Sequence, residues 1–163
     1  DADTYAREIL SPNTPYTKLI LSYFGDSIRE IDNTNSINRA ALGKIIFSEP
    51  KAKNWLENIV HPIIIQKINL ALKKNKNNPI VILSIPLLFE IGLENLCSEV
   101  WLIYCTQEQQ LKRLMQRDKL NRNEAILRIN SQWPLDRKKE LADIIINNTK
   151  EKGKWINEIE SAL

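Results

Sequence analysis

A chain of 163 residues that is 43% apolar and 26% charged can bury one core of the usual single-domain size. Its 23 bases and 20 acids are spread along the chain and leave a net charge of +3, a mild excess that suits anionic ligands and gives no dense basic face for nucleic acid. Cys97 and Cys105 have no metal-ligand or disulfide-framework spacing, and the longest apolar run, 80–89, falls short of the roughly 20 residues of a membrane span.

The opening DADTYAREIL places Asp1, Asp3 and Arg7 ahead of a helical pattern, so one of the acids can serve as its cap. Arg7 lies one turn beyond Asp3, and the two can share a face as a surface pair or as two walls of one cleft. Thr14-Pro15 starts a second helix that Gly25 stops, with Leu19, Ile20, Tyr23 and Phe24 on one side. Ser36 is the expected cap of a third over 36–47, with Arg39 in its first turn. Pro50 opens a fourth, carrying Trp55, Leu56, Ile59 and Val60 at helical spacing. His61-Pro62 interrupts that pattern, and a kink or a break is expected before it resumes. His61 is the only histidine; between apolar helical stretches it reads first as structural. Lys73, Lys74 and Lys76 read as the solvated end of this helical stretch.

Three runs, 80–85, 100–105 and 143–147, are continuously apolar rather than alternating, as in strands of a parallel sheet covered on both faces. Glu90 follows the first of them. A helix over 107–117 turns Leu111, Leu114 and Met115 inward and leaves Arg113 and Arg117, four apart, on the other side. Short helices are expected over 122–132 and 134–141, and a closing one over 151–163. Strands separated by such helices give an α/β sheet, whose ligands sit beyond the carboxyl ends of the strands. The four tryptophans are dispersed and form no stacking platform. A cytoplasmic domain with reduced thiols and no membrane or nucleic-acid partner is the expectation.

The succession DADTYAR, NRAALGKIIF, NWLENIVHP, IPLLFE, LKRLMQRD, SQWPLDRK and ADIIINN resembles the dephospho-coenzyme A kinases, in order and spacing from Asp1 to about Asn148. The resemblance implies a P-loop NTPase fold similar to the nucleoside monophosphate kinases: a parallel sheet of about five strands, a helical substrate region over about 12–78 and a helical lid over about 118–137. The chain departs from the family in one respect. It contains no GxxxxGK[ST], and Gly25, Gly43, Gly92 and Gly153 are scattered singly. The phosphate loop with its flanking strands is therefore expected on the N-terminal side of Asp1, making residues 1–163 an incomplete kinase domain, inactive as it stands.

The implied reaction is transfer of the γ-phosphoryl group of ATP, with Mg²⁺, to the ribose 3′-hydroxyl of dephospho-coenzyme A, the last step of coenzyme A biosynthesis. Such a transfer needs an oriented acceptor and cation density around a loose transition state. The resemblance assigns Asp3 as base or orienter, with Asp1 as second choice or as a partner of hydrated Mg²⁺. Arg7, Arg39, His61 and Glu90 fall on the substrate side. Arg113 is expected at the ATP phosphates, and Arg117 and Arg137 in the lid, where Arg122, Arg128 and Lys138 could also close over anions. Two alternatives stay open: another P-loop nucleotide or nucleoside kinase, and a non-catalytic remnant that binds coenzyme A or a nucleotide.

Overall fold

Asp1 starts the first helix, α1 (Ala2–Ile9), its Oδ1 accepting a hydrogen bond from the Thr4 amide at 3.1 Å. The computed structural model describes residues 1–33, 35–149 and 153–162. They form two compact units, Asp1–Pro86 and Leu87–Leu163.

The first unit is helical. α2 (Pro15–Phe24) begins and ends as its sequence dictates: Thr14 Oγ1 accepts from the Thr17 amide, proline fills the first turn, and Gly25 takes the positive φ of +69° that a side chain would resist. A 3₁₀ turn over Gly25–Ile28 follows. The next helix, α3 (Arg39–Ser48), is capped by Asn38 and not by Ser36: Asn38 Oδ1 accepts from the Ala41 amide at 2.9 Å. Residues just before it are held elsewhere, because Ile37 bridges Arg29, the Glu30 amide donates to the Ser36 carbonyl and the Asn38 amide to that of Ile28. A helix can start only beyond those contacts.

α4 (Pro50–Lys74) continues through Pro62, so of the expected kink or break the break does not occur. Proline removes the donor that would reach the Asn58 carbonyl. Leu56 and Val60 before it, and Ile64 and Ile68 after it, are nevertheless all buried on one stripe, and α4 packs against both α1 and α3. Tertiary burial on both sides of the proline outweighs one missing bond. Ile9, Ile20, Leu21, Ile28 and Leu42 complete this core.

The apolar run 80–85 is not a strand among the described residues, contrary to expectation. Ile80, Val81 and Ile82 are exposed, and the Ser84 carbonyl accepts from the Ala2 amide at 2.9 Å. An apolar run becomes a strand where a neighbouring backbone supplies a ladder, and none does so here among the described residues.

The second unit holds the sheet. β1 (Trp101–Tyr104) and β2 (Ile144–Asn147) pair in parallel, Trp101 opposite Ile144 and Tyr104 opposite Asn147. The crossover between them carries α5 (Gln107–Asp118), α6 (Arg122–Asn130) and α7 (Leu135–Lys139). Reciprocal capping boxes start the first two: Thr106 with Gln109, and Asn121 with Glu124. α8 (Ile156–Ala162) follows β2; the expected start of this helix at 151 lies outside the described residues. Two of the roughly five strands expected are thus present among the described residues. They are not covered throughout on both faces either: Ile146 is 1% exposed, whereas its neighbour Ile103 is 52% exposed. A pair of strands leaves edges and faces that a wider sheet would cover.

Candidate functional site

In the first unit the nominated residues gather on and beside α1. The buried Ala2 and Ile9 seat this helix, and a Glu8–Lys67 ion pair of 2.9 Å ties it to α4. Capping falls to Asp1 and not to Asp3. Asp3 stands exposed in the first turn with no hydrogen bond or ion pair among the described residues, and no bridge joins it to Arg7, whose side chain is likewise unpaired among them. Arg39 is brought to the same helix: its Nη2 donates to the Arg7 carbonyl at 3.1 Å. His61 lies half-buried on α4.

In the second unit, the α5 guanidiniums face different partners. Arg113 Nη2 donates to the Asn148 carbonyl at 2.9 Å, and Gln109 Nε2, one turn earlier, to the Thr149 carbonyl at 2.8 Å. The Asn148 amide in turn donates to the Tyr104 carbonyl at 2.8 Å, so α5 grips the exit of β2. Arg113 still has further N–H groups for a ligand. Arg117 forms a two-point contact with Asp118 at 2.7 and 3.1 Å, and Arg128 Nη1 reaches the same carboxylate at 2.5 Å. The Arg117 hydrogen bonds, then the charges of Arg128 and Arg117, hold the Asp118 carboxyl below its ordinary range against an opposing contribution from burial.

Arg137 lies over Trp133, its guanidinium carbon 3.3 Å from the ring centre. Glu90 Oε1 accepts from both the Trp133 amide, at 2.9 Å, and Lys138 Nζ, at 2.7 Å, while Oε2 is buried without a hydrogen-bond partner among the described residues. Lys138, which the sequence grouped with the lid cations, is 5% exposed and committed to this pair. The neighbouring Tyr104 hydroxyl donates to Asp136 Oδ1 at 3.0 Å, and that bond, more than burial, raises the phenol above its ordinary value.

Two groups escaped the sequence reading. Asp118 organises two arginines, and its only trace in the sequence is an acid set among bases. The Glu90–Lys138 pair joins distant segments and leaves no local pattern. No cluster of three His, Cys, Asp or Glu side chains capable of holding a metal ion occurs among the described residues, and no helix among them is long and apolar enough to cross a membrane. An open hollow of about 430 Å³ beside β2 and α8, lined by Ile144, Ile146 and Glu158, includes none of the nominated residues.

The family model for dephospho-CoA kinase matches residues 1–153. The chain belongs to the dephospho-CoA kinase family. It is 46% identical over 155 residues to a dephospho-CoA kinase of Synechococcus sp. (strain CC9605), covering 95% of this chain and 74% of that protein. With a dephospho-CoA kinase of Prochlorococcus marinus the identity is 49% over 151 residues, 91% of this chain and 72% of the other. Among solved structures, a dephospho-CoA kinase from Campylobacter jejuni superposes with a TM-score of 0.65 at 36% identity, covering 99% of this chain and 80% of that one. A Thermus thermophilus crystal structure gives 0.75 at 26% identity, over 99% and 81% of the two chains. The α/β class expected from the sequence, a parallel sheet with nucleotide-kinase-like helices, therefore holds for this member of the dephospho-CoA kinase family.

Proposed function

We propose that these residues supply the acceptor side and the lid of an enzyme that moves the γ-phosphoryl group of ATP to the ribose 3′-hydroxyl of dephospho-CoA in the cytoplasm. The observation that carries this reading is the family match over residues 1–153. Residues 12–78 form the substrate region in this reading, and 118–137 the lid.

Asp3 takes the proton of the acceptor hydroxyl or aligns it; an exposed carboxylate with no partner of its own among the described residues supports that role. Asp1 is the weaker candidate because one of its oxygens already holds the Thr4 amide. Arg7 and Arg39, linked through the Arg7 carbonyl, would take the acceptor's phosphates, and His61 and Glu90 are further candidates on the substrate side. Arg113, Arg117 and Arg137 spread positive charge over the polyphosphate, where a single well-placed guanidinium is worth about 10³-fold or more in rate. Asp1 is the residue that would hold, through water, a Mg²⁺ ion carried by the nucleotide. Bound in that way, it would neutralise phosphate charge.

The test is phosphoryl transfer from ATP by these residues joined to a GxxxxGK[ST] segment, with dephospho-CoA, AMP, GMP and UMP as rival acceptors. Preference for dephospho-CoA is expected, and preference for a monophosphate would overturn the assignment.

A further inference from the structure

The Glu90–Lys138 pair is expensive for what it contributes to folding. Two charges leave water to form it, and replacing a buried ion pair with apolar groups of similar volume is often neutral or stabilising. What the pair does uniquely is geometric. A single oxygen, Glu90 Oε1, receives the Trp133 amide and Lys138 Nζ at 2.9 and 2.7 Å. Those two donors bracket the segment that presents Arg137: Trp133 is the ring on which its guanidinium lies, and Lys138 is its neighbour in the chain. The intervening α7 is five residues long and has no side-chain cap, too short to hold its own position.

We infer that Glu90 and Lys138 are positioning residues, and that their buried pair fixes Arg137 against Trp133 as a preformed site for the polyphosphate of an anionic ligand. The inference rests on the reading of 118–137 as a lid. With its carbon over the Trp133 ring, the guanidinium keeps N–H groups able to take two oxygens of a phosphate at once. Arg137 is exposed, so a ligand can reach it. Ordering it in advance removes part of the entropy that binding would otherwise cost.

The test uses the 163-residue chain, with inorganic tripolyphosphate as the probe. Two quantities are read: the upfield ring-current shift of the Arg137 side-chain protons, and the calorimetric affinity for tripolyphosphate. Arg137→Ala should weaken binding about tenfold, as loss of one charge-assisted contact does. Glu90→Gln and Lys138→Met should each abolish the upfield shift, weaken binding to a similar degree and add nothing in an Arg137→Ala background. Should either single variant fail to fold, Glu90→Leu combined with Lys138→Met, which leaves no lone buried charge, gives the same readings.

A folded variant that keeps the shift and the affinity overturns the inference, as does a loss that adds to that of Arg137→Ala. Failure of the double variant to fold assigns the pair to stability and also overturns it. An unmodified chain that binds no tripolyphosphate removes the anion site. None of these readings involves the acceptor, so a monophosphate preference in the transfer assay would sink the dephospho-CoA assignment and leave them standing.

Discussion

The two leading acids provide a test in which stability and activity separate. Asp1 and Asp3 are two residues apart, yet Asp1 accepts the Thr4 amide at 3.1 Å while Asp3 accepts nothing among the described residues. Replacing Asp1 with alanine removes an N-cap, a loss of about 1 kcal/mol, and with it a carboxylate near the helix N-terminus worth a few tenths more. For a chain of this length that corresponds to a fall in Tm of about 2–4 °C. Asp3→Asn loses only the interaction with the helix dipole, toward the low end of about 0.3–1 kcal/mol at an exposed position, and should lower the Tm by less than Asp1→Ala does. On turnover the order reverses. Removing a general base costs about 10²–10⁴-fold, so Asp3→Asn should lower kcat by at least about 100-fold with little change in the affinity for ATP. Circular-dichroism melts of both variants, and the transfer assay on the same variants joined to a GxxxxGK[ST] segment, decide the matter. A melt lowered mainly by Asp3→Asn, or a kcat that survives it, would refute the division of labour drawn from the cap.

Further outcomes follow from the packing. Because the folded-state pKa of Asp118 is depressed, its pairing with Arg117 and Arg128 contributes fully above the ordinary value near 3.8 and is lost as pH falls through the lowered one. The protection factors of the α6 amides, corrected for the intrinsic pH dependence of exchange, should therefore be flat from neutral pH down to the carboxylate range and then fall, and Asp118→Asn should remove that acid limb; with Arg117 exposed and Arg128 partly so, the stabilisation stays under about 1 kcal/mol. Thr17 is fully buried and its hydroxyl donates to the Ser11 carbonyl at 2.7 Å, so Thr17→Val should cost about 1–3 kcal/mol in urea unfolding and exceed the loss from Thr17→Ser, which keeps the donor. Pro62→Ala restores a donor for the Asn58 carbonyl within α4 and should stabilise the chain by up to about 3 kcal/mol; a lower Tm would mean that the proline shapes the helix in a way the core requires.

Much was legible from short-range signals. Thr14-Pro15 and Gly25 bound α2 correctly because a cap, a preset φ and a left-handed stop act within a few residues. The runs at 100–105 and 143–147 became β1 and β2, in parallel, because continuous apolar runs separated by crossover helices leave few other arrangements. The motif order led to the family without any coordinates. The remaining features depended on partners far away in the chain. Ser36 lost the cap to Asn38 through contacts with residues 28–30, α4 stayed helical past Pro62 through burial on either side of it, and the run 80–85 found no ladder among the described residues. The assignment of Asp1 to capping and of Lys138 to an internal pair is of the same kind. Composition and periodicity record what a residue is able to do, whereas which hydrogen bond or charge pair a side chain finally makes depends on three-dimensional neighbours that local sequence does not encode.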